Sequence, residues 1–147
     1  MSNSNQAEMI RESLRLLVRR LGVLERGEAS CCDITLSQCH TIVEIGRAGS
    51  MSLNVLADIL GLDKSTVSRS VEKLVSDGII VRDTDPEDRR YLTLHLSEKG
   101  QSLFLEVEKR MAVYFEEVIA AIPGDKREQI VESLQYVAQA LKGPRCC

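Results

Sequence analysis

The chain contains no tryptophan, two phenylalanines and three tyrosines. With aromatics at 3% of 147 residues, any core it builds must be aliphatic. No apolar run approaches the ~20 residues of a membrane span. Residues 1–8 are polar and carry no apolar signal region, which leads to the expectation of a cytoplasmic protein. Positive charge is not in excess either: 19 Lys and Arg against 22 Asp and Glu give a formal net charge of −3. Bulk attraction to nucleic acid is therefore excluded, and any such surface must arise from charges segregated in space. There is no internal repeat, no low-complexity segment and no glycine-rich phosphate loop. Cys39 and His40 are adjacent as a nucleophile and base would be. Neighbours on a helix diverge by about 100°, which takes the base out of reach and argues against an enzyme.

What is there fits a soluble globular protein, with 44% apolar and 28% charged residues, enough for one domain over 1–147. Helical periodicity runs from about Gln6 to Leu24 through Ile10, Leu14, Leu17, Val18 and Leu21, which predicts a buried stripe. Gly22, Gly27 and the polar stretch Glu25–Ser30 are expected to end it. A second helix starts near Thr35, where Thr35 and Gln38 have the spacing of a capping box, and stops near Gly46. Gly49 and Ser50 read as a loop. Ser52 is placed to cap a third helix, Leu53 to Leu60. A long helix from Ser97 to about Ala121 carries Leu103, Val107, Met111, Tyr114 and Val118, and Pro123-Gly124 breaks it. A last helix, Asp125 to Leu141, carries Ile130, Leu134, Val137 and Leu141. The apolar faces of the terminal helices, about 6–24 and 101–142, exceed what one small domain needs. They are expected to pair with a second copy. Residues 143–147 form a cysteine-containing tail.

The central segment, about 35–100, is the most informative. After Asp63 a helix places Val67, Val71, Leu74 and Val75 on one side, while Lys64, Ser65, Thr66, Ser68, Arg69 and Lys73 project elsewhere. Asp77-Gly78 ends it. Ile79–Asp83 and Arg90–Leu96 read as strands, with Leu92, Leu94 and Leu96 sharing one face. Helix, tight turn, helix and hairpin in that order outline a winged helix-turn-helix, a device for reading DNA. Ser65, Thr66 and Ser68 are short donors and acceptors near a helix start, where backbone amides also favour phosphate. Arg69 can fork onto a guanine edge, and Lys73 suits phosphate. Arg89 and Arg90 sit at the hairpin tip, where a guanidinium can enter the minor groove. The acids Asp85, Glu87 and Asp88 would repel DNA if all faced it, so Asp88 is expected to pair with a neighbouring Arg and direct it. Over Leu62–Lys99 seven bases face eight acids, so this arrangement, not total charge, carries the reading.

The string DPEDRRYLTLHLSEKG, preceded by LADILGLDKSTVSRSVEKLVSDGIIVR, resembles the multiple antibiotic resistance regulator (MarR) family of bacterial transcription factors. The likeness is tight over the central half of the chain; the flanking helices agree in length and pattern. The resemblance implies a mainly α fold with a small β-hairpin wing and six helices per subunit. It implies an intertwined homodimer whose first, fifth and sixth helices interdigitate. It further implies a near-palindromic DNA operator, commonly repressed, and release by a small effector held between the dimer helices and the DNA-binding lobe, partly by the first and second helices. It carries Ser65, Thr66, Ser68 and Arg69 as recognition contacts and Arg89 as the wing contact. A winged-helix module that binds a protein partner is the alternative.

Five cysteines without an export signal do not make a disulfide framework. They cluster as Cys31, Cys32 and Cys39, then Cys146 and Cys147. The family pattern does not require them, so they point to the signal sensed. If a loop carrying Cys31-Cys32 folds back on Cys39, three thiolates suit a soft metal or metalloid. An exposed thiol with a resolving partner suits an oxidant. Burial as apolar filler accounts for Cys39 by itself. A structural zinc site would need a fourth ligand. A small organic effector is the remaining alternative.

Overall fold

Each helix of the central segment begins at a side chain that accepts an otherwise unpaired first-turn amide. Thr35 and Gln38 form a reciprocal capping box, Ser52 Oγ accepts from the amide of Val55, and Asp63 accepts from that of Thr66. The computed structural model describes residues 2–32, 34–88 and 90–143, and the side chains of all of these except 23–32. The elements are α1 (Asn3–Cys32), α2 (Leu36–Ala48), β1 (Ser50–Ser52), α3 (Leu53–Leu60), α4 (Lys64–Ser76), β2 (Ile80–Thr84), β3 (Leu92–Leu96), α5 (Glu98–Ala120), a 3-10 turn (Gly124–Lys126) and α6 (Arg127–Ala140). The chain divides into two compact units, Met1–Leu105 and Glu106–Cys147.

The first unit holds the core. Ile42 and Ile45 of α2, Leu56 of α3, Val67, Val71 and Leu74 of α4 and Leu94 of β3 are fully buried, an aliphatic set as the scarcity of aromatics demands. The polar residue among them, Thr41, donates its hydroxyl to the carbonyl of Ser37 at 2.9 Å, so its burial leaves no orphan group. The three strands form one antiparallel sheet in the order β1-β3-β2. Leu94 faces Met51 across one edge of β3 and Arg82 across the other.

The start of α5 is tied to the turn after α4. Ser97 donates its amide to the Ile79 carbonyl at 2.9 Å, and its Oγ accepts from the amide of Gly100 at 3.1 Å. Lys99 Nζ donates to the Asp77 carbonyl at 2.9 Å. A Cβ at Gly100 would lie 2.1 Å from the Ile79 oxygen, so only glycine permits this approach. Gly46 makes room in the same way for the ring of Phe104, 2.6 Å from where its Cβ would stand.

Several expectations are corrected. Helix α1 does not stop near Leu24 but continues to Cys32, because Glu, Arg and Ala in the polar stretch favour helix and each glycine costs only about 1 kcal/mol. Its apolar stripe is exposed on the single chain: Ile10, Leu17, Val18 and Leu21 all face outward and Leu14 is half-buried. Helix α2 reaches Ala48, and the residues after Gly49 form strand β1, paired to β3, not a loop. Strand β3 begins at Leu92, two residues later than the spacing predicts, and β2 keeps five residues but lies one position later, paired as far as Thr84 with Leu92. Val75 is half-buried, as are Leu92 and Leu96 beside the buried Leu94. Along α5 the stripe fades: Phe104 and Val107 are buried, Leu103 and Met111 half-buried, and Tyr114 and Val118 exposed. No helix among the described residues is long and apolar enough to cross a membrane.

Candidate nucleic-acid interface

Helix α4 is built to show one face. Val67, Val71 and Leu74 recur at four- and three-residue spacing and go into the core, which leaves Lys64, Ser65 and Arg69 exposed and Thr66 and Ser68 half-buried at its rim. The helix starts tightly. Ser65 Oγ donates to Asp63 Oδ2, Thr66 Oγ1 donates to Asp63 Oδ1 at 2.6 Å, and the Thr66 amide donates to Oδ2 at 3.1 Å. The hydroxyls of Ser65 and Thr66, with the Thr66 amide behind them, hold the Asp63 carboxyl well below the usual carboxylate range. The Asp63 carboxylate thus takes up a first-turn amide at the helix start, beside the exposed Lys64.

Arg69 runs back along the helix and donates Nε to the Ser65 carbonyl at 3.3 Å, one turn earlier. The guanidinium is thus tied to the backbone of the first turn. Lys73 Nζ lies 3.0 Å from Asp77 Oδ1 across the last turn. Such an exposed pair is worth at most ~1 kcal/mol, so Lys73 can exchange it for a phosphate at little cost. Glu72, exposed three residues after Arg69, lies near the same stripe and bounds the basic surface on that side.

In the wing, the acids shape the loop. Asp85 Oδ1 accepts the amide of Glu87 at 2.8 Å, and the Asp85 amide donates to the Tyr91 carbonyl at 3.0 Å. Asp88 takes the guanidinium of Arg90 through Nε at 3.0 Å and Nη2 at 2.7 Å, and also accepts the Arg90 amide at 3.0 Å. This grip lowers the Asp88 carboxyl, chiefly through the guanidinium and then the amide, and raises Arg90. The Arg90 side chain nevertheless remains 87% exposed. Arg89, the other tip cation, lies outside the described residues. A shallow cleft at the base of the wing is lined by Ser52, Leu53, Asn54, Arg90, Tyr91 and Leu92. Asn54 and Tyr91 were not singled out by sequence; neither lies in a charged or hydroxyl-rich run that would have marked it.

Of the five cysteines, Cys39 is the one whose side chain is described. Cys39 is buried on the inward face of α2 with Ile42 and Ile45. The backbone at Cys31 and Cys32 belongs to α1, not to a loop, because the helix does not break at Gly27. The side chains of Cys31 and Cys32, and all of Cys146 and Cys147, lie outside the described residues. Among the described residues no group of three His, Cys, Asp or Glu side chains is arranged to hold a metal ion.

Residues 33–90 match the sequence model of the MarR family. An uncharacterised HTH-type transcriptional regulator of Bacillus subtilis strain 168, YxaD, is 25% identical over 140 residues, covering 95% of this chain and 98% of that protein. Among solved structures, Streptococcus pneumoniae FabT, crystallised in complex with DNA, is similar with a TM-score of 0.83 at 24% identity, over 92% of this chain and 97% of its own. A MarR transcriptional regulator from Methanosarcina mazei Go1 is similar with a TM-score of 0.79 at 26% identity, over 92% and 98%. Over residues 33–90, and in the six α-helices and three-stranded antiparallel sheet of its described residues, this chain resembles the MarR family of winged helix-turn-helix transcription factors.

Proposed function

We propose that the protein is a sequence-specific DNA-binding transcription regulator that grips a near-palindromic operator as a homodimer. The observation that carries this reading is the outer face of α4, where Lys64, Ser65 and Arg69 stand clear of a fully buried inner face, in a fold shared with a protein crystallised on DNA. Arg69 reads a guanine edge, Lys64 and Lys73 meet phosphate, and Arg89 and Arg90 reach the minor groove from the wing, with Asp88 directing Arg90. Repression is the reading for its effect on transcription, and the cytoplasm for its location.

The homodimer is supported by apolar side chains that the single chain leaves outside. Leu16, Leu17, Val18 and Leu21 of α1 are exposed, as are Val131, Leu134 and Tyr136 of α6 and Leu141 at its end. Large apolar side chains left exposed on each of the two units are what an interface would cover. The test pairs sedimentation with binding to genomic fragments. Wild type sediments as a dimer and retains fragments, and Arg69→Ala stays dimeric while losing at least about fivefold in affinity. A monomer that retains no fragment at low ionic strength overturns the reading, and DNA-independent capture of a protein partner favours the interaction-module alternative.

The finer proposal is that operator affinity answers to a thiol-binding metal, metalloid or oxidant through Cys31, Cys32 and Cys39, with Cys146 and Cys147 as further ligands. What supports it is the clustering of those residues in the sequence. Burial of Cys39 means that chemistry at its sulfur requires α2 to shift, which would move the recognition helices apart. A Cys31/Cys32/Cys39→Ser protein is expected to keep operator binding and lose its response to arsenite and peroxide. An unchanged response overturns cysteine sensing and leaves a small organic effector.

A further inference from the structure

Resting on the DNA-binding reading, we propose that Asp63 sets the base preference of α4 by taking the hydroxyl protons of Ser65 and Thr66, so that both side chains present lone pairs to the groove and pair with the exocyclic amino group of adenine or cytosine. The argument is one of proton count. A hydroxyl has a single proton and two lone pairs, and an ionised carboxylate has no proton to give. Ser65 Oγ and Thr66 Oγ1 both bond the Asp63 carboxylate, one on each oxygen, so both protons are committed there. The bonds that hold Asp63 also keep it ionised near neutral pH.

In the major groove the hydrogen-bond donors are the adenine N6 and cytosine N4 amino groups; guanine O6 and thymine O4 only accept. A helix start that can only accept therefore selects A or C over G or T on the strand it faces. Arg69, a turn further along and held against the Ser65 carbonyl, has the opposite character and selects guanine. One turn of helix rises about 5.4 Å against 3.4 Å per base step, so the two preferences fall about one to two base pairs apart. Asp63 is thus a positioning residue: it acts on DNA only through the two hydroxyls.

The experiment is selection from randomised duplexes with the full-length wild type, Ser65→Ala, Ser65→Ala/Thr66→Val, Asp63→Asn and Arg69→Ala. Wild type is expected to enrich a two-fold-related motif in which a position restricted to A or C lies within two base pairs of a G. Ser65→Ala weakens and the double variant abolishes the A-or-C restriction, a change of at least about fivefold in relative affinity, with the G retained. Asp63→Asn still caps the helix, but its amide N–H can donate to one hydroxyl and release that proton, so G or T enters the restricted position. Arg69→Ala relaxes the G alone. Loss of fold by a variant would cost all enrichment and could not move the preference at one position; Ser65, being exposed, supplies a variant that keeps the fold. The proposal is overturned if the double variant enriches the wild-type motif unchanged, or if the wild-type position facing the helix start holds G or T. Absence of any wild-type motif overturns the DNA reading itself, and the proposal with it.

Discussion

The central lobe and the terminal helices use the same aliphatic residues to opposite effect. Ile42, Leu56 and Leu74 vanish into the lobe, whereas α6 buries none of its residues, and Val18 of α1 and Tyr136 of α6 remain 68% and 71% exposed. Both regions show amphipathic helical spacing, so periodicity by itself does not say which stripe finds a partner within the chain. The lesson is that the lobe is a finished core and the terminal helices present surface that still needs covering, which the proposed dimer supplies. The two should differ in how their stability depends on protein concentration.

That difference gives the largest expected effect. Leu74→Ala removes a fully buried side chain and is expected to lower stability by about 2–5 kcal/mol, equally at every protein concentration. Leu134→Ala in α6 is expected to cost little in dilute solution and progressively more as concentration rises through the dimer range. Urea unfolding of both variants at several concentrations checks this. If Leu134→Ala lowers stability as Leu74→Ala does at the lowest concentration, the contrast between the regions collapses.

The next effects come from the two glycines that let α5 and α2 approach their neighbours. Gly100→Ala drives a Cβ into the Ile79 backbone oxygen, which also accepts from Ser97 and cannot retreat easily; about 3 kcal/mol is expected. Gly46→Ala meets the ring of Phe104, which can turn aside, and gains about 1 kcal/mol of helix propensity, so its net cost should be smaller. Thermal unfolding should rank Gly100→Ala below Gly46→Ala. The reverse order would mean that the ring, not the backbone at Ile79, is the rigid partner.

Much of the lobe was legible because its boundaries are written in local chemistry. Ser52 and Gly61 bracket α3, and Asp63 and Gly78 bracket α4, with both glycines at positive φ. Strand β1 escaped notice because three residues have no readable alternation; β3 makes them a strand by pairing with them. The length of α1 was misread because Gly22 and Gly27 look like breakers, though single glycines among good helix formers do not suffice to end a helix. At the interface, the exposed hydroxyl and basic residues of α4 were visible in the spacing, and so was a carboxylate partner for a wing arginine. The use of Asp63 was not, since its grip on Ser65 and Thr66 depends on rotamers that spacing does not encode.

A smaller effect tests the start of α4. The folded-state pKa of Asp63 is depressed, so its contribution to stability is present above its ordinary value of 3.8 and is lost as pH falls below it. Asp63→Ala is expected to lower the Tm at pH 7 by less than either glycine substitution, with the gap from wild type closing as pH falls below about 4. A gap that persists unchanged to pH 2 would show that the carboxylate does not hold the helix start.

The smallest stability effect should accompany a clear binding effect, and that combination separates the lobe's outer face from the terminal helices. Lys73 is 63% exposed and paired with Asp77, so Lys73→Ala should change stability by less than ~1 kcal/mol. If Lys73 meets phosphate, the same variant should weaken binding to every duplex alike and reduce the slope of log affinity against log salt by about one. Asp77→Asn should move binding the other way, because it releases the ammonium from its intramolecular partner. An apolar truncation on α6 should instead lower affinity through dissociation of the dimer and leave the slope measured at saturating protein concentration unchanged. Equal salt slopes for wild type and Lys73→Ala would remove Lys73 from the interface and confine the electrostatic footprint to Lys64, Arg69 and the wing.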